Sequence, residues 1–353
     1  MLLQLRRDVS SPSLERVLKL ASDLGYRPHF LDPERTLLQL DQDVDLVRER
    51  FGDRSMFEDL EAVKSVLDSR DAPERVLRRA DGGETVVQIG QAVFGGGRAA
   101  LIAGPCSIED EERLIEIAYS VREAGATMLR GGAYKPRTSP YSFQGLGVAG
   151  LEMLKAARAE TGLGIVTEVL DPRDVEAVAE AADLLQIGSR NMCNSALLKE
   201  VGKAGKPVLL KRGLAAKVRE YVLAAEYILA EGNDQVILCE RGVRGFDSVT
   251  RNVLDVGAIA WLKRETHLPV IADPSHAAGH ADLVAPLARA GLAAGADGLI
   301  VEVHPVPYEL RSDAEQALLP ASFAKLAREA QRVLAIDGRT LACFDDSREN
   351  QRV

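Results

Sequence analysis

The sequence predicts an α/β protein: a (β/α)8 TIM barrel that carries a small N-terminal βαββαβ domain of ferredoxin-like order. Three observations support this. From Thr85 onward, eight short apolar runs alternate with helical patterns over about 250 residues, the count and size of such a barrel. The first 70 residues run strand, helix, hairpin, helix, strand, which is the split ferredoxin-like order. The rival for the larger part is a doubly wound open sheet, which needs a switch point and a GxGxxG closing a strand; the one such string, Gly145 to Gly150, ends the polar loop instead of following an apolar run, so it is not that fingerprint.

Leu2 to Leu5 reads as a strand, and Ser11-Pro12 offers an N-cap with proline at the first helical position. Leu14, Val17, Leu18, Ala21 and Leu24 follow at helical spacing until Gly25 closes the helix. Arg27 to Leu31 and Thr36 to Leu40 form a hairpin across Asp32-Pro33-Glu34-Arg35. Asp45 to Phe51 reads as the second helix and Ala62 to Leu67 as the last strand. Residues 1–70 are thus one domain, and 71–84, rich in charge with Asp81-Gly82-Gly83, are a linker.

The barrel is expected over 85–336. Val86 to Ile89 and Ala92 to Phe94 make a short entry hairpin. The eight strands are Ala99 to Ala103, Thr127 to Arg130, Gly164 to Val169, Leu184 to Ile187, Val208 to Leu210, Val236 to Cys239, Pro269 to Ala272 and Leu299 to Val303. One helix runs from Ser107, a candidate cap, through Leu114, Ile117, Ala118 and Val121 to Gly125. Gly131 to Gly147 is too polar and glycine-rich for core and reads as a loop. Residues 337–353 form a polar tail expected to fray.

Charge narrows the function. The chain has 44 Lys and Arg against 53 Asp and Glu, a formal net charge of -9, so its cationic clusters suit small anions rather than nucleic acid. No apolar run approaches the roughly 18 residues of a membrane span, and no signal-peptide core follows Met1, so a cytoplasmic protein is expected. Cys106, Cys193, Cys239 and Cys343 show neither a disulfide framework nor a zinc spacing, so a metal site would have to be assembled by the fold.

In a barrel of this kind the site lies where the strands end. Those ends carry Cys106; Arg130 with Lys135 and Arg137; Glu168; Arg190; Lys211 with Arg212; Arg241 with Arg244; Asp273 with His276; and Glu302 with His304, then Asp313. Guanidinium and ammonium groups with the hydroxyls of Thr138, Ser139 and Ser142 suit phosphate or carboxylate oxygens, although a solvated basic loop accounts for charge alone. The Cys, His and carboxylate set implies a divalent metal. Pro274 and Gly279 make the stretch around His276 and His280 read as a loop, so only His276 is kept as a ligand. An unpaired carboxylate at the end of the apolar strand before Glu302 would be costly, which favours a ligand or ion-pair role.

GPCSIED, LRGGAYKPRTSPYSFQGLG, IGSRNM, PVLLKRG, ILCERG, ADPSHAAGH and IVEVHP, in this order, resemble the metal-dependent 3-deoxy-D-arabino-heptulosonate 7-phosphate (DAHP) synthases, type I, beta subgroup. The resemblance spans roughly residues 85 to 336, and the first 70 residues resemble the ferredoxin-like regulatory domain of some members. It implies condensation of phosphoenolpyruvate with erythrose 4-phosphate, releasing phosphate, at the entry to the shikimate pathway. Cys106, His276, Glu302 and Asp313 then match the metal ligands, a mixed set suited to Mn, Fe, Co or Zn. Arg130, Lys135, Arg190, Lys211 and Arg241 match the phosphoenolpyruvate grip, and Arg137 and Thr138 the sugar-phosphate grip. Lys135 lies near both substrates, and Glu168 matches the acid near the enol carbon.

Alternatives are 3-deoxy-D-manno-octulosonate 8-phosphate synthase acting on arabinose 5-phosphate, and an aromatic amino-acid sensor on an inactive barrel. The first has an Ala-Asn-Arg type motif where this chain has Lys135-Pro136-Arg137-Thr138. A fused helical chorismate mutase does not fit the strand-and-helix pattern of residues 1–70. A homo-oligomer, dimer or tetramer, is expected, with tyrosine or phenylalanine as effector at the N-terminal domain.

Overall fold

The computed structural model of the chain describes residues 1–42, 56–57, 59–66, 73, 75–78, 82–137, 139–309 and 314–343. The chain forms two compact units, Met1–Leu77 and Arg78–Val353.

In the first unit, β1 (Leu2–Leu5), α1 (Ser11–Asp23), β2 (Tyr26–Phe30), β3 (Leu37–Gln42) and β4 (Val63–Val66) build an antiparallel sheet of order β2-β3-β1-β4. This is the split order read from the sequence. Alternating residues of the strands, Leu3, Leu5, Leu38 and Leu40, pack with Val17 and Ala21 of α1 and with Phe57. The cap of α1 is Ser10, not Ser11: its side chain accepts from Ser13 N, and Pro12 falls within the first turn, where its missing N–H costs nothing. The helix expected at Asp45 to Phe51 lies outside the described residues.

The second unit opens with the hairpin β5 (Val87–Ile89) and β6 (Ala92–Phe94) and continues as a parallel barrel. Its elements are β7 (Arg98–Gly104), α2 (Glu111–Glu123), β8 (Met128–Arg130), α3 (Val148–Thr161), β9 (Gly164–Glu168), α4 (Val175–Ala181), β10 (Leu184–Ile187), α5 (Ser195–Lys203), β11 (Val208–Lys211) and α6 (Val218–Ala230). Then come β12 (Val236–Glu240), α7 (Val256–Glu265), β13 (Val270–Ala272), α8 (Pro274–Ala278), α9 (Ala281–Ala293), β14 (Gly298–Glu302), α10 (Pro320–Leu334) and β15 (Thr340–Leu341). Strands β7 to β14 pair in sequence, and β14 closes on β7 from Gly298↔Ala100 to Glu302↔Gly104. The entry hairpin joins the barrel core: Val87, Ile89 and Phe94 cluster with Ile102, Met128, Leu209, Ile237 and Ile271. Among the described residues, no helix is long and apolar enough to cross a membrane.

Three local expectations are corrected. Asp110 rather than Ser107 caps α2, because its carboxylate accepts from Arg113 N at 2.9 Å directly ahead of Glu111 and Glu112. The stretch around His276 is the short helix α8 and not a loop: Asp273 caps it, Pro274 occupies its first position, and Gly279 ends it at φ 76°. The polar stretch from Asp337 is in part ordered, since Thr340 and Leu341 pair with Arg98 and Ala99 of β7 and Ala342 is fully buried.

Candidate active site

Strand alternation sets where the chemistry stands. Met128, Val166, Leu184, Leu209, Cys239, Ile271 and Ile300 point into the barrel core. Two residues later, on the same side, come Arg130, Glu168, Gln186, Lys211, Arg241, Asp273 and Glu302, each at or just past the end of its strand. Cys106 follows β7 by the same step from Gly104. A Cβ at Gly104 (φ 149°) would collide with the backbone oxygen of Arg130, so that close passage of two strands requires glycine.

These ends surround a cavity of about 550 Å³. Among the described residues, eight cations line it, Arg130, Lys135, Arg137, Arg190, Lys211, Arg241, Arg244 and Arg251, against Glu168 as the carboxylate. Cys106 and His276 also line it. Such a surplus of fixed positive charge suits ligands that bring several negative charges. Arg137 donates through Nε to Phe143 O at 2.9 Å, while its Nη2 is buried with no hydrogen-bond partner among the described residues. A buried donor of that kind suits an anionic acceptor.

At one side of the cavity, Cys106 Sγ, a His276 ring nitrogen and a Glu302 carboxylate oxygen lie within 4.8 Å of one another. His276 Nε2 is 3.3 Å from Glu302 Oε1, a spacing natural for two ligands about 2.0–2.2 Å from one ion. His276 Nδ1 meets Asp273 Oδ2 at 2.8 Å, which turns Nε2 toward the cluster, the usual support of a metal-ligating histidine. Burial is the largest influence on His276 and lowers its pKa against the pull of Asp273 and Glu302, so the ring is kept in the neutral form that ligates. Burial also disfavours charge on Asp273, yet the hydrogen bond from His276 and the Lys211 ammonium hold this carboxyl well below the usual range. Lys211 Nζ is 2.6 Å from Asp273 Oδ2, and Arg130 Nη2 is 3.2 Å from Glu302 Oε1.

Lys135 joins the two halves of the site. Its Nζ donates to Cys106 Sγ at 2.9 Å and to Cys106 O at 3.0 Å. Burial works against its charge, but Cys106 and Glu168 outweigh burial and raise the lysine pKa. Glu168 is 9% exposed, and burial raises its pKa against Lys135, Lys211, Arg130 and Arg190. Gly188 leaves room beside it: a Cβ there would push the Glu168 carboxylate out of this position.

The structure therefore brings together Cys106, Arg130, Lys135, Arg137, Glu168, Arg190, Lys211, Arg241 and His276 around one cavity, with Glu302 fully buried against His276 and Arg130. Thr138 and Asp313 lie outside the described residues. Arg212 does not join the site: it follows Lys211 by one residue, faces the other side of β11, and pairs with Glu240 at 2.9 Å and Asp255 at 3.0 Å. His304 is buried and accepts from Val306 N through Nδ1, a local turn contact.

Several contributors escaped the sequence reading. Gln186 approaches Glu168 through Nε2 at 3.5 Å; its place two residues after Leu184 was the available signal. Asn252 Nδ2 donates to His276 O at 2.8 Å, and Thr167 Oγ1 donates to Gly131 O at 2.6 Å. Tyr221 of α6 is fully buried and inserts its hydroxyl between β11 and β12, donating to Leu210 O at 2.8 Å and accepting from Cys239 N at 2.5 Å. No spacing rule marks any of these three.

A profile of the DAHP synthetase I family matches residues 84–335. The chain belongs to that family. Phospho-2-dehydro-3-deoxyheptonate aldolase of Thermotoga maritima is 44% identical over 334 residues, covering 94% of this chain and 97% of the relative. The crystal structure of that DAHP synthase from Thermotoga maritima aligns with a TM-score of 0.76 at 42% identity, over 96% of this chain and 98% of the other. A truncated form of the Thermotoga maritima enzyme aligns with a TM-score of 0.70 at 44% identity, over 75% of this chain and 98% of the other. The 2-dehydro-3-deoxyphosphooctonate aldolase of Syntrophotalea carbinolica is 33% identical over 270 residues, covering 71% of this chain and 96% of the relative. The DAHP synthase family is metal-dependent, and the sulfur, imidazole and carboxylate cluster of this chain has the donor chemistry to hold a divalent ion.

Proposed function

We propose that the barrel mouth condenses phosphoenolpyruvate with erythrose 4-phosphate, giving DAHP and inorganic phosphate, through the residues assembled there. The chain is a DAHP synthase of aromatic amino-acid biosynthesis, a transferase. The observation that carries the residue assignment is the convergence of eight cations on one cavity beside the Cys106, His276 and Glu302 cluster.

In this reading Arg130, Lys135, Arg190, Lys211 and Arg241 hold the phosphate and carboxylate of phosphoenolpyruvate. Arg137 and Thr138 hold the phosphate of the sugar. Cys106, His276 and Glu302, with Asp313 as fourth ligand, hold a divalent ion. Their mixed donor set favours Mn, Fe, Co or Zn over Mg, which prefers oxygen ligands. When bound, the ion polarises the aldehyde oxygen as a Lewis acid.

The bond changes follow. C3 of phosphoenolpyruvate forms a carbon–carbon bond to the aldehyde carbon, and the former aldehyde oxygen takes a proton, supplied by Lys135. Water adds at C2 and passes a proton to Glu168, whose raised pKa suits it to accept and return one. The C2–O bond to phosphate then breaks as the C2 hydroxyl gives its proton to Lys135, restoring the ammonium, and Glu168 returns its proton to the departing phosphate, leaving the ketone and inorganic phosphate. Fixing both substrates face to face removes much of the entropic barrier, and the surrounding cations offset the repulsion between two phosphate esters.

We assign residues 1–70 a regulatory role in binding tyrosine or phenylalanine, 71–84 a linker role and 85–336 the catalysis. The support is that every residue assigned to chemistry lies between Cys106 and Asp313. One face of the small sheet carries the buried residues Leu3, Leu5, Leu38 and Leu40, and we infer that the opposite face pairs with a second copy in a homo-oligomer. The test of the substrate assignment is phosphate release by metal-supplemented protein with erythrose 4-phosphate against arabinose 5-phosphate. Turnover with the four-carbon sugar supports the reading, and preference for arabinose 5-phosphate favours the octulosonate alternative.

A further inference from the structure

The carboxylate of Glu302 has two oxygens in different settings. Oε1 faces His276 Nε2 at 3.3 Å and Arg130 Nη2 at 3.2 Å. Oε2 accepts from Gln316 Nε2 at 2.6 Å. Gln316 is 1% exposed and ends the turn Ala314–Gln316. Its other end, Oε1, accepts from Arg251 Nη1 at 2.9 Å, and Arg251 lines the cavity. The backbone brings these groups together, since Leu318 N donates to Glu302 O at 2.8 Å and His304 N to Leu318 O at 2.9 Å.

The chemistry of the bridge narrows the side chain that can fill it. A carboxylate only accepts and a guanidinium only donates, so the group between them needs a donor at one end and an acceptor at the other. A primary amide meets that need without adding charge beside Glu302, and the same logic fixes which way round the amide lies. An acid here would repel Glu302 and a lysine could not accept from Arg251.

We propose that Gln316 is a positioning residue: it locks Glu302 so that Oε1 is presented to the ion, and it ties that carboxylate to Arg251 at the cavity wall. The inference rests on the reading of Cys106, His276 and Glu302 as ligands. Its consequence is that metal affinity depends on Arg251, a residue outside the ligand cluster, in part through Gln316.

The test is titration of chelator-treated full-length protein with Mn2+ alone, followed by calorimetry, for the wild type, Gln316→Leu, Arg251→Met and the double variant. The expected result is a loss of Mn2+ affinity on the order of 10–100-fold for Gln316→Leu, the scale for removing a partner of a metal ligand. Arg251→Met is expected to weaken binding by at least about twofold in the wild-type background and to have a smaller effect beside Gln316→Leu, the pattern of a coupled pair. If Gln316→Leu does not fold, Gln316→Met and Arg251→Met carry the same comparison. Affinity within about twofold of wild type for the Gln316 variants, or an Arg251 effect of equal size in both backgrounds, overturns the proposal. Wild-type protein that binds no Mn2+ overturns the ligand reading itself, and the inference with it.

Discussion

Arg137→Ala separates the two substrates. Arg137 carries a buried Nη2 with no acceptor among the described residues, next to Ser139 and Ser142 on the cavity wall. If that nitrogen serves the sugar phosphate, the substitution removes a charge-assisted hydrogen bond made in ground and transition state alike, about 1.5–3 kcal/mol. At 1.4 kcal/mol per decade this is about a 10- to 150-fold rise in KM for erythrose 4-phosphate with little change in kcat. The KM for phosphoenolpyruvate should move by less than about threefold, because Arg130, Lys135, Arg190, Lys211 and Arg241 are untouched. The assay is initial-rate phosphate release, varying each substrate with the other saturating. An equal rise in both KM values, or a fall in kcat with neither KM changed, refutes the assignment of Arg137 to one substrate.

Three further outcomes are expected. Glu168→Gln should abolish turnover yet stabilise the fold progressively with pH: burial raises the folded-state pKa, so the glutamate's contribution to stability is complete below its unfolded value and is lost as pH rises through the folded value. A difference in Tm between the two proteins that stays flat from acid to neutral pH contradicts this. Tyr221→Phe removes the hydroxyl that serves both Leu210 O and Cys239 N and should cost about 1–3 kcal/mol in urea unfolding; an unchanged midpoint would mean that β11 and β12 close the gap directly. A chain beginning at Asp81 should keep turnover and lose any inhibition by tyrosine or phenylalanine, and a folded barrel without turnover would show that residues 1–80 take part in catalysis.

Much of this architecture was legible because the barrel imposes one rule eight times. An apolar run with a polar residue at its end, such as Ile300 to Glu302 or Leu209 to Lys211, announces both a strand and its place in the site. The same rule, applied by parity, separates Lys211 from Arg212: adjacent residues on a strand face opposite sides, and charge alone conceals this. The caps were misplaced by one to three residues because residues able to cap stand close together in sequence, and backbone geometry decides between Ser11 and Ser10 and between Ser107 and Asp110. Gln316 and Arg251 were not legible at all. Their partners lie 14 and 65 residues away along the chain, and an amide or an arginine in a polar stretch gives no pattern from which that pairing follows.

The most direct test is to locate the ion. Crystals of the protein grown with Mn2+, with anomalous diffraction measured for wild type and Cys106→Ser, should show one strong site in the wild type about 2.0–2.5 Å from Cys106 Sγ, His276 Nε2 and Glu302 Oε1. In Cys106→Ser the peak should be lost or greatly weakened while the barrel stays folded, because a neutral hydroxyl replaces a thiolate ligand. A manganese peak away from these three atoms, or one of full occupancy in the serine variant, contradicts the account.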